Sequence, residues 1–521
     1  MTRGKITDTL NDGFRRLPIF LHKNGFTASW LILYLAAGLL LIAHHEMWRD
    51  ELEAWLIARD TSLPGLFSHL HTIGHPVLWY LSLKMLQLFT VDPSAMQYLH
   101  LLFALGSVTL FVRYAPFSRL EKILLAFSYF FLYEFAVIAR NYAPAIFLIV
   151  LIVVLYSQPR KNLWLLALAS VLLINTHVIG ILFMFFFLTL FAYDWLGSSG
   201  NKIIPNLLFG TVLLILLLFA FGLAWQSLVP AGIHEIGNMV KNPFHNLIRL
   251  EYVAQTVWSS YVPIPRLTLH FWNSNLIPTY LARICLSILV FAVALHIVSP
   301  SRRARMFYTM GSSSLLVFFL LFHPGFLRHH GFLFLVFLVS YWIKRNEKPG
   351  EPERADTKKR LFRLILMGQC LAGLTAGTLE MLYPFSASKQ VSKYIETQGL
   401  QKDTIIAGDW DYVSQSVSAW LNQPLYYPAI QAYGSFIVWS DPRRQFPVKT
   451  KPERRAYKEY VIRHLQDLAD AEQKNVLLLS TYAQKRPLLK SFTKAVQADE
   501  VFYLYLITPD SCKIQGSITD R

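Results

Sequence analysis

As far as Pro384 the chain alternates between long apolar runs and short polar connections. Runs of membrane length, or slightly less, fall at about 27–43, 76–90, 96–112, 120–138, 141–157, 163–179, 181–195, 205–226, 276–298, 309–323, 328–343 and 364–380. A helix needs about 20 apolar residues to cross a bilayer, so this pattern predicts a polytopic α-helical membrane body. After Pro384 the runs shorten. Asp403–Gly408, Asn475–Ser480 and Val501–Leu506 read as buried strands, and Ala387–Gln398, Tyr457–Ala471 and Leu488–Gln497 as amphipathic helices. Roughly 135 residues of this kind are enough for a small α/β domain with its own core. The expected organisation is a basic N-terminus over 1–26, a membrane body over 27–385 and a soluble α/β domain over 386–521.

Composition agrees with that pattern. At 521 residues, 54% hydrophobic, the chain is too apolar for a soluble protein. Its formal charge of +17 does not point to nucleic acid, because the basic residues cluster in short loops between apolar runs and behave as orientation signals. Cys285, Cys370 and Cys512 are isolated, which predicts neither a disulfide framework nor a thiolate metal site. No glycine-rich phosphate loop suggests direct use of ATP. The basic leader (Arg3, Lys5, Arg15, Arg16, Lys23) precedes Phe26–Ala43, and His44-His45-Glu46 is a poor cleavage site, so this segment reads as a retained first span.

Charge then orients the spans. Arg302, Arg303 and Arg305 belong in the cytoplasm, as does 344–363, with eight Lys or Arg against four acids. Alternation puts Gln158–Lys161 and Gly197–Lys202 inside. It puts His44–His75, Arg140–Tyr142, Thr176-His177, Val229–Asn275, His323–His330 and the C-terminal domain outside. The short run 76–90, carrying Lys84, is expected to be re-entrant or interfacial. Arg113, Arg119 and Lys122 make 96–112 and 120–138 the crossing pair, for 11 crossings in all. The dense polar clusters therefore meet on one face, and Lys84 and Arg283 are the visible charges at mid-depth.

The richest cluster is His44–His75. Glu46, Asp50, Glu51 and Glu53 lie at the mouth of a span, an expensive place unless they meet water, substrate or a basic partner. If Met47–Asp60 is helical, Glu46, Asp50 and Glu53 share a face while Glu51 points about 100° away. Trp48, Trp55 and Leu56 are suited to holding that helix at the interfacial level. His69, His71 and His75 follow, then Pro76. A carboxylate–imidazole cluster can take a divalent metal, but the spacing matches no ligand pattern. On the same face stand Arg140, Tyr142 and His177, and then Arg328-His329-His330, which suits a phosphate or pyrophosphate. The connection Val229–Asn275 is lid-like, with Glu235, His245, Arg249, Glu251, Arg266 and Trp272.

These residues resemble the GT-C glycosyltransferases, in the branch that holds protein O-mannosyltransferases, aminoarabinose transferases and dolichyl- or undecaprenyl-phosphate-sugar-dependent enzymes. The likeness rests on the acidic pair Asp50-Glu51 after the first span, on His75-Pro76 at the next run and, less specifically, on Arg140 and Tyr142. It departs from the family in having His-Pro-Val for the common His-Pro-Pro. The resemblance implies an inverting transfer of a sugar from a polyprenyl-phosphate donor to a glycan, lipid or protein acceptor, in a bacterial inner membrane or an endoplasmic reticulum. It implies Asp50 as base and Glu51 as the orienting partner. His75, Arg140, Tyr142, His177, Arg328, His329 and His330 would bind substrate, with no cofactor demanded. A transporter or flippase of a lipid-linked or anionic substrate is the alternative from another class, and a membrane scaffold displaying the α/β domain is a third.

Overall fold

The computed structural model describes residues 25–156, 163–197, 214–225, 243–347, 357–438 and 451–510. The leader, the Gln158–Lys161 loop, most of Gly197–Lys202, the start of run 205–226, Glu235, the middle of the basic segment 344–363 and Cys512 lie outside the described residues.

The chain is a multi-pass integral membrane protein. Helix α1 (Gly25–His44) enters the polar face, where α2 (Arg49–Asp60), α3 (Leu63–Ile73) and α4 (Leu78–Leu86) follow. The body continues with α5 (Ala95–Tyr114), α6 (Arg119–Ala126), α7 (Tyr142–Tyr156), α8 (Leu163–Ile174), α9 (Val178–Gly197), α10 (Leu214–Trp225), α11 (Pro243–Ala254), α12 (Thr256–Tyr261), α13 (Tyr280–Val298), α14 (Arg302–Leu321), α15 (Leu327–Glu347) and α16 (Thr357–Leu382). Among the described residues, five helices are long and apolar enough to cross a membrane: Thr27–His44 within α1, α5, α13, α14 and α16.

Helix α2 starts two residues later than a Met47 origin would give. The Glu51 carboxylate accepts the Trp48 amide at 3.1 Å, and acids in the first turn complement the helix dipole. The Ser62 hydroxyl caps α3 by accepting from the Gly65 amide, and Gly74 ends it in the left-handed region at φ 70°. Helix α4 has only nine residues, and Lys84 Nζ donates to the Ala58 carbonyl at 2.8 Å, which pins this short run to the first connection. Trp55 and Leu56 are fully buried rather than interfacial, because α4 and Trp420 of the C-terminal domain cover them. The run 120–138 is a broken helix: α6, then a π-helical turn at Tyr129–Glu134. Its start is tied to the basic end by Arg363–Glu121 at 3.1 Å, and the residue after its end is tied to the first connection through Glu51. Gly373 lets α16 approach the break, since a Cβ there would sit 2.6 Å from the Phe127 carbonyl.

The C-terminal domain has helices α17 (Ser388–Thr397), α18 (Asp411–Leu421) and α19 (Lys451–Glu472) around a sheet of β1 (Thr404–Gly408), β2 (Leu425–Tyr427), β3 (Ala432–Gly434), β4 (Asn475–Ser480), β5 (Lys490–Phe492) and β6 (Phe502–Ile507). The strand order is β3-β2-β1-β4-β6-β5, with β1 parallel to both β2 and β4. Strands β1 and β4 are apolar on both faces because helices cover both. Ile406, Leu477 and Leu479 pack with Val391, Val413 and Val417, while Ile405, Val476 and Leu478 pack with Val461, Leu465 and Ala469. The helix expected at Leu488–Gln497 is absent. Pro487 opens the segment, and residues 490–492 pair antiparallel with β6, Ser491 opposite Tyr503. The short pattern Leu-Lys-Ser-Phe satisfies a strand's alternation as well as a helix's periodicity, and the neighbouring sheet edge decides between them.

Candidate active site

Helix α2 turns its acids in two directions. Asp50 faces a cup, with Oδ2 2.8 Å from Arg140 Nη1 and 3.5 Å from Arg328 Nη2, and Oδ1 3.9 Å from Arg49 Nε. Asp50 keeps 27% of its side chain exposed, against 12% and 8% for Arg140 and Arg328. Burial works to raise the Asp50 pKa, but Arg140, Arg328 and Arg49 overcome it and hold the carboxyl below its ordinary value. The Arg328 guanidinium lies 5.6 Å from Trp48, 5.5 Å from Trp272 and 4.8 Å from Phe326, so three rings fix its plane.

Behind the arginines stands a wall of imidazoles and one phenol. The Tyr142 hydroxyl lies 2.9 Å from His329 Nε2, and His329 Nδ1 accepts the Phe326 amide at 2.8 Å. This leaves neutral His329 to donate through Nε2. The His177 ring is 5.0 Å from that of Tyr142 and 6.0 Å from those of His75 and His329. Burial, then the nearby arginine charge of Arg140, pushes His75 down to about 3, so it is a neutral hydrogen-bonding group. His330 takes a different direction, with Nε2 3.0 Å from the Pro324 carbonyl. His323, absent from the sequence-derived set, joins the wall with its ring 5.1 Å from that of His329. Among the described residues, no group of three or more His, Cys, Asp or Glu is placed to hold a metal ion.

Glu51 occupies a closed setting. One oxygen accepts the Ala139 amide at 2.5 Å, and the other accepts the Trp48 amide and lies 2.9 Å from His45 Nε2. His45 Nδ1 reaches Glu380 at 2.8 Å, and the Tyr133 hydroxyl donates to Glu380 at 2.7 Å. Glu51 and His45 have no exposed side-chain surface. Burial alone would depress His45, but the carboxylates of Glu51 and Glu380 lift it to about 10, so it is an imidazolium between two anions. Glu51 thus fixes the backbone beside Asp50, at Trp48, and beside Arg140, at Ala139. A second buried acid, Glu134 in the π-helical turn, accepts from the Tyr129 hydroxyl at 2.8 Å and from Trp272 Nε1 at 3.1 Å. Glu134 and Glu380 are absent from the sequence-derived set, although a carboxylate inside an apolar run is itself a signal of a partner.

The C-terminal domain roofs the first connection. Arg49 pairs with Asp499 at 2.9 Å and Glu500 at 3.6 Å, and its amide donates to Glu500 at 2.7 Å. Arg59 donates to Asn422 at 2.6 Å, Ser435 donates to Asp60, and Gln390 donates to Glu46 at 3.2 Å. Burial first, and then the charge of Asp50, lifts Glu53 to about 7 on the face between α2 and this roof.

No family model matches the sequence, and no curated protein matches it. Among solved structures, the chain is similar to the crystal structure of ArnT from Cupriavidus metallidurans bound to undecaprenyl phosphate, with a TM-score of 0.51 and 10% sequence identity. The match covers 92% of this chain and 98% of that one, so membrane body and C-terminal domain together follow the ArnT fold.

Proposed function

We propose that the protein is an inverting glycosyltransferase that moves a sugar from a polyprenyl-phosphate-linked donor to an acceptor on the cup-bearing face of its membrane. The observation that carries this reading is Asp50 held by Arg140 and Arg328 at the mouth of the membrane body, an anion between two cations beside neutral hydrogen-bonding side chains. The likeness in fold to a protein that binds undecaprenyl phosphate supports the lipid-linked donor.

The chemistry follows from the charges. Asp50 takes the proton of an acceptor hydroxyl, whose oxygen attacks the anomeric carbon as the carbon–oxygen bond to the donor phosphate breaks. One displacement inverts the configuration, and the phosphate leaves with the bonding electrons. Arg140 and Arg328 supply the positive charge that the departing phosphate needs. The same arginines depress the basicity of Asp50 before substrate arrives. A bound phosphate shares them, loosens their hold and strengthens the base when an acceptor is to be activated. Tyr142, His75, His177 and His329 offer neutral donors and acceptors to sugar hydroxyls. Glu51 acts as a positioning residue through Trp48 and Ala139. We assign this face to the extracytoplasmic side of a bacterial inner membrane, or of an endoplasmic reticulum membrane.

The reading is tested with purified protein in proteoliposomes given an undecaprenyl-phosphate-linked hexose or pentose, labelled in the sugar, and a cell-envelope extract as acceptor source. It requires release of undecaprenyl phosphate and a product of inverted anomeric configuration. Movement of the intact labelled lipid between leaflets, with its glycosyl bond unbroken, would replace the transferase by a flippase.

A further inference from the structure

Three guanidinium groups approach Asp50, but they do not belong to it equally. Among the described residues, the ion pairs of Arg140 and Arg328 lead to Asp50 alone, at 2.8 and 3.5 Å. Arg49 is shared. Its Nη1 lies 2.9 Å from Asp499 and 3.6 Å from Glu500, while its Nε stands 3.9 Å from Asp50. A turn about its outer side-chain torsions would carry the guanidinium from the C-terminal domain onto Asp50, so its present place needs a cause.

The cause is one short segment, Val496–Glu500, fastened to the place where the chain leaves α16 and enters α17. The Val496 amide donates to the Pro384 carbonyl at 2.9 Å, the Gln497 amide to that of Phe385 at 3.0 Å, and the Ala387 amide to that of Glu500 at 3.2 Å. The Glu500 side chain has no exposed surface, a costly place for an acid unless its oxygens are bonded. One oxygen accepts the Arg49 amide at 2.7 Å and the other accepts the Ser386 hydroxyl at 2.5 Å. The rings of Trp48 and Tyr412, 5.3 and 5.4 Å from the Arg49 guanidinium, complete its seat. Backbone and side chain of Arg49 are thus both held from the C-terminal domain. The charges explain why that matters. A carboxylate gripped by three cations is a poor base, and Asp499 and Glu500 take up one of the three.

We propose that Asp499 and Glu500 are positioning residues of the transfer reaction, which hold Arg49 off Asp50 and so leave Asp50 able to take the acceptor's proton. The docked C-terminal domain is then a working part of the site it covers. The consequence for catalysis rests on the transferase reading with Asp50 as base, but the placement of Arg49 does not. Glu53, His75 and Tyr80 are the other ionisable groups whose charge is felt with that of Asp50, and the variants below leave all three in place.

The test is the pH profile of single-turnover transfer by the full chain in proteoliposomes, with an undecaprenyl-phosphate-linked sugar as donor. Asp499→Asn with Glu500→Gln should move the acid limb down by about one unit and lower the plateau roughly threefold, because a guanidinium in contact favours the charged carboxylate and weakens the base. Asp499→Asn alone, at a half-exposed position, leaves the buried contacts of Glu500 intact. It should move the limb the same way by less, and it decides the matter if the double variant does not fold. Adding Arg49→Gln should return the limb to its wild-type place or above it, and in an Arg49→Gln background the two acid substitutions should lose most of their effect. Transfer lost with the acid limb unmoved, or with no recovery on Arg49→Gln, would make the two acids merely structural and overturn the proposal. A cryo-EM reconstruction of Asp499→Asn with Glu500→Gln reads the geometry without turnover, and should show an Arg49 nitrogen within roughly 3 Å of an Asp50 oxygen. Arg49 left in its wild-type seat, or turned to solvent, would overturn the proposal while leaving the transferase standing. Arg49 closed on Asp50 in a protein whose wild type cleaves no donor would sink the transferase reading and uphold the hold on Arg49.

Discussion

Asp50 and Glu51 are adjacent carboxylates in the first turn of one helix, and their surroundings differ in almost every respect. Asp50 meets three guanidinium groups in a cup that still admits solvent. Glu51, about 100° round the helix, is sealed between two backbone amides and an imidazolium that leans on a second buried acid. The first arrangement leaves a charge available to a substrate, and the second commits both oxygens to two backbone amides and the His45 ring. A motif of two acids therefore contains one chemical group and one structural group, and the helical angle between them assigns the roles.

The largest expected effect is on the sealed side. Glu51→Leu leaves the His45 imidazolium with one partner and two amides with none, and losses on the order of 3–5 kcal/mol attend breaking such a pair. Thermal unfolding in detergent should fall sharply, and His45→Leu added to Glu51→Leu should restore part of it, because no isolated cation is then buried. A Glu51→Gln protein of wild-type stability that fails in transfer would instead make Glu51 a chemical group. On the open side, Asp50→Asn should keep stability and donor affinity while single-turnover transfer falls by about 10² or more. Glu53→Gln, on the same face but without a guanidinium contact, should lower turnover much less.

Next in size is Arg328. Replacing it by Ala should weaken donor binding by roughly tenfold or more, and Lys should recover only part, since a guanidinium gives phosphate two oriented hydrogen bonds and an ammonium does not. Unchanged donor saturation in Arg328→Ala would confine this residue to pairing with Asp50. The smallest effect concerns pH. Burial, ahead of any neighbouring charge, lifts Glu46, Glu53 and Glu500 to about 7, above their unfolded value. The folded state then binds more protons than the unfolded one between about pH 4.5 and 7, so stability should fall as pH rises through that window. His45, lifted to about 10, extends the fall above pH 6.5. Neutral His75, which takes up a proton on unfolding below pH 6.5, opposes that fall at lower pH, so melting temperatures should decline from about pH 6.5 to 9, and Glu53→Gln with Glu500→Gln should turn the curve below pH 6.5 toward rising stability with pH.

The open cup was legible because its members are charges at the ends of apolar runs, where only water, substrate or a partner explains them. Asp50, Arg140 and Arg328 were placed on one face by alternation, and they meet. The sealed bridge was not legible as a whole. His45 and Glu51 are six residues apart, but Glu380 lies at the end of the last span, and nothing local shows that α16 returns beside α1. Glu134 was hidden in a run of aromatics. The cover over Trp55 and Leu56 was equally invisible, because it comes from Trp420 in a domain far along the chain. In that domain the buried strands β1, β4 and β6 were evident from continuous apolar runs. The short β2, β3 and β5 depend on neighbours for their pairing and carry too few residues to declare a period.

A cryo-EM reconstruction of the full chain with undecaprenyl phosphate tests the central claim most directly. The account predicts phosphate oxygens within charge-assisted hydrogen-bond distance, about 2.7–2.9 Å, of Arg140 or Arg328, with Asp50 drawn away from at least one of them and Glu51 unmoved on Ala139 and Trp48. A phosphate bound elsewhere, with the Asp50–Arg140 pair intact, would contradict it.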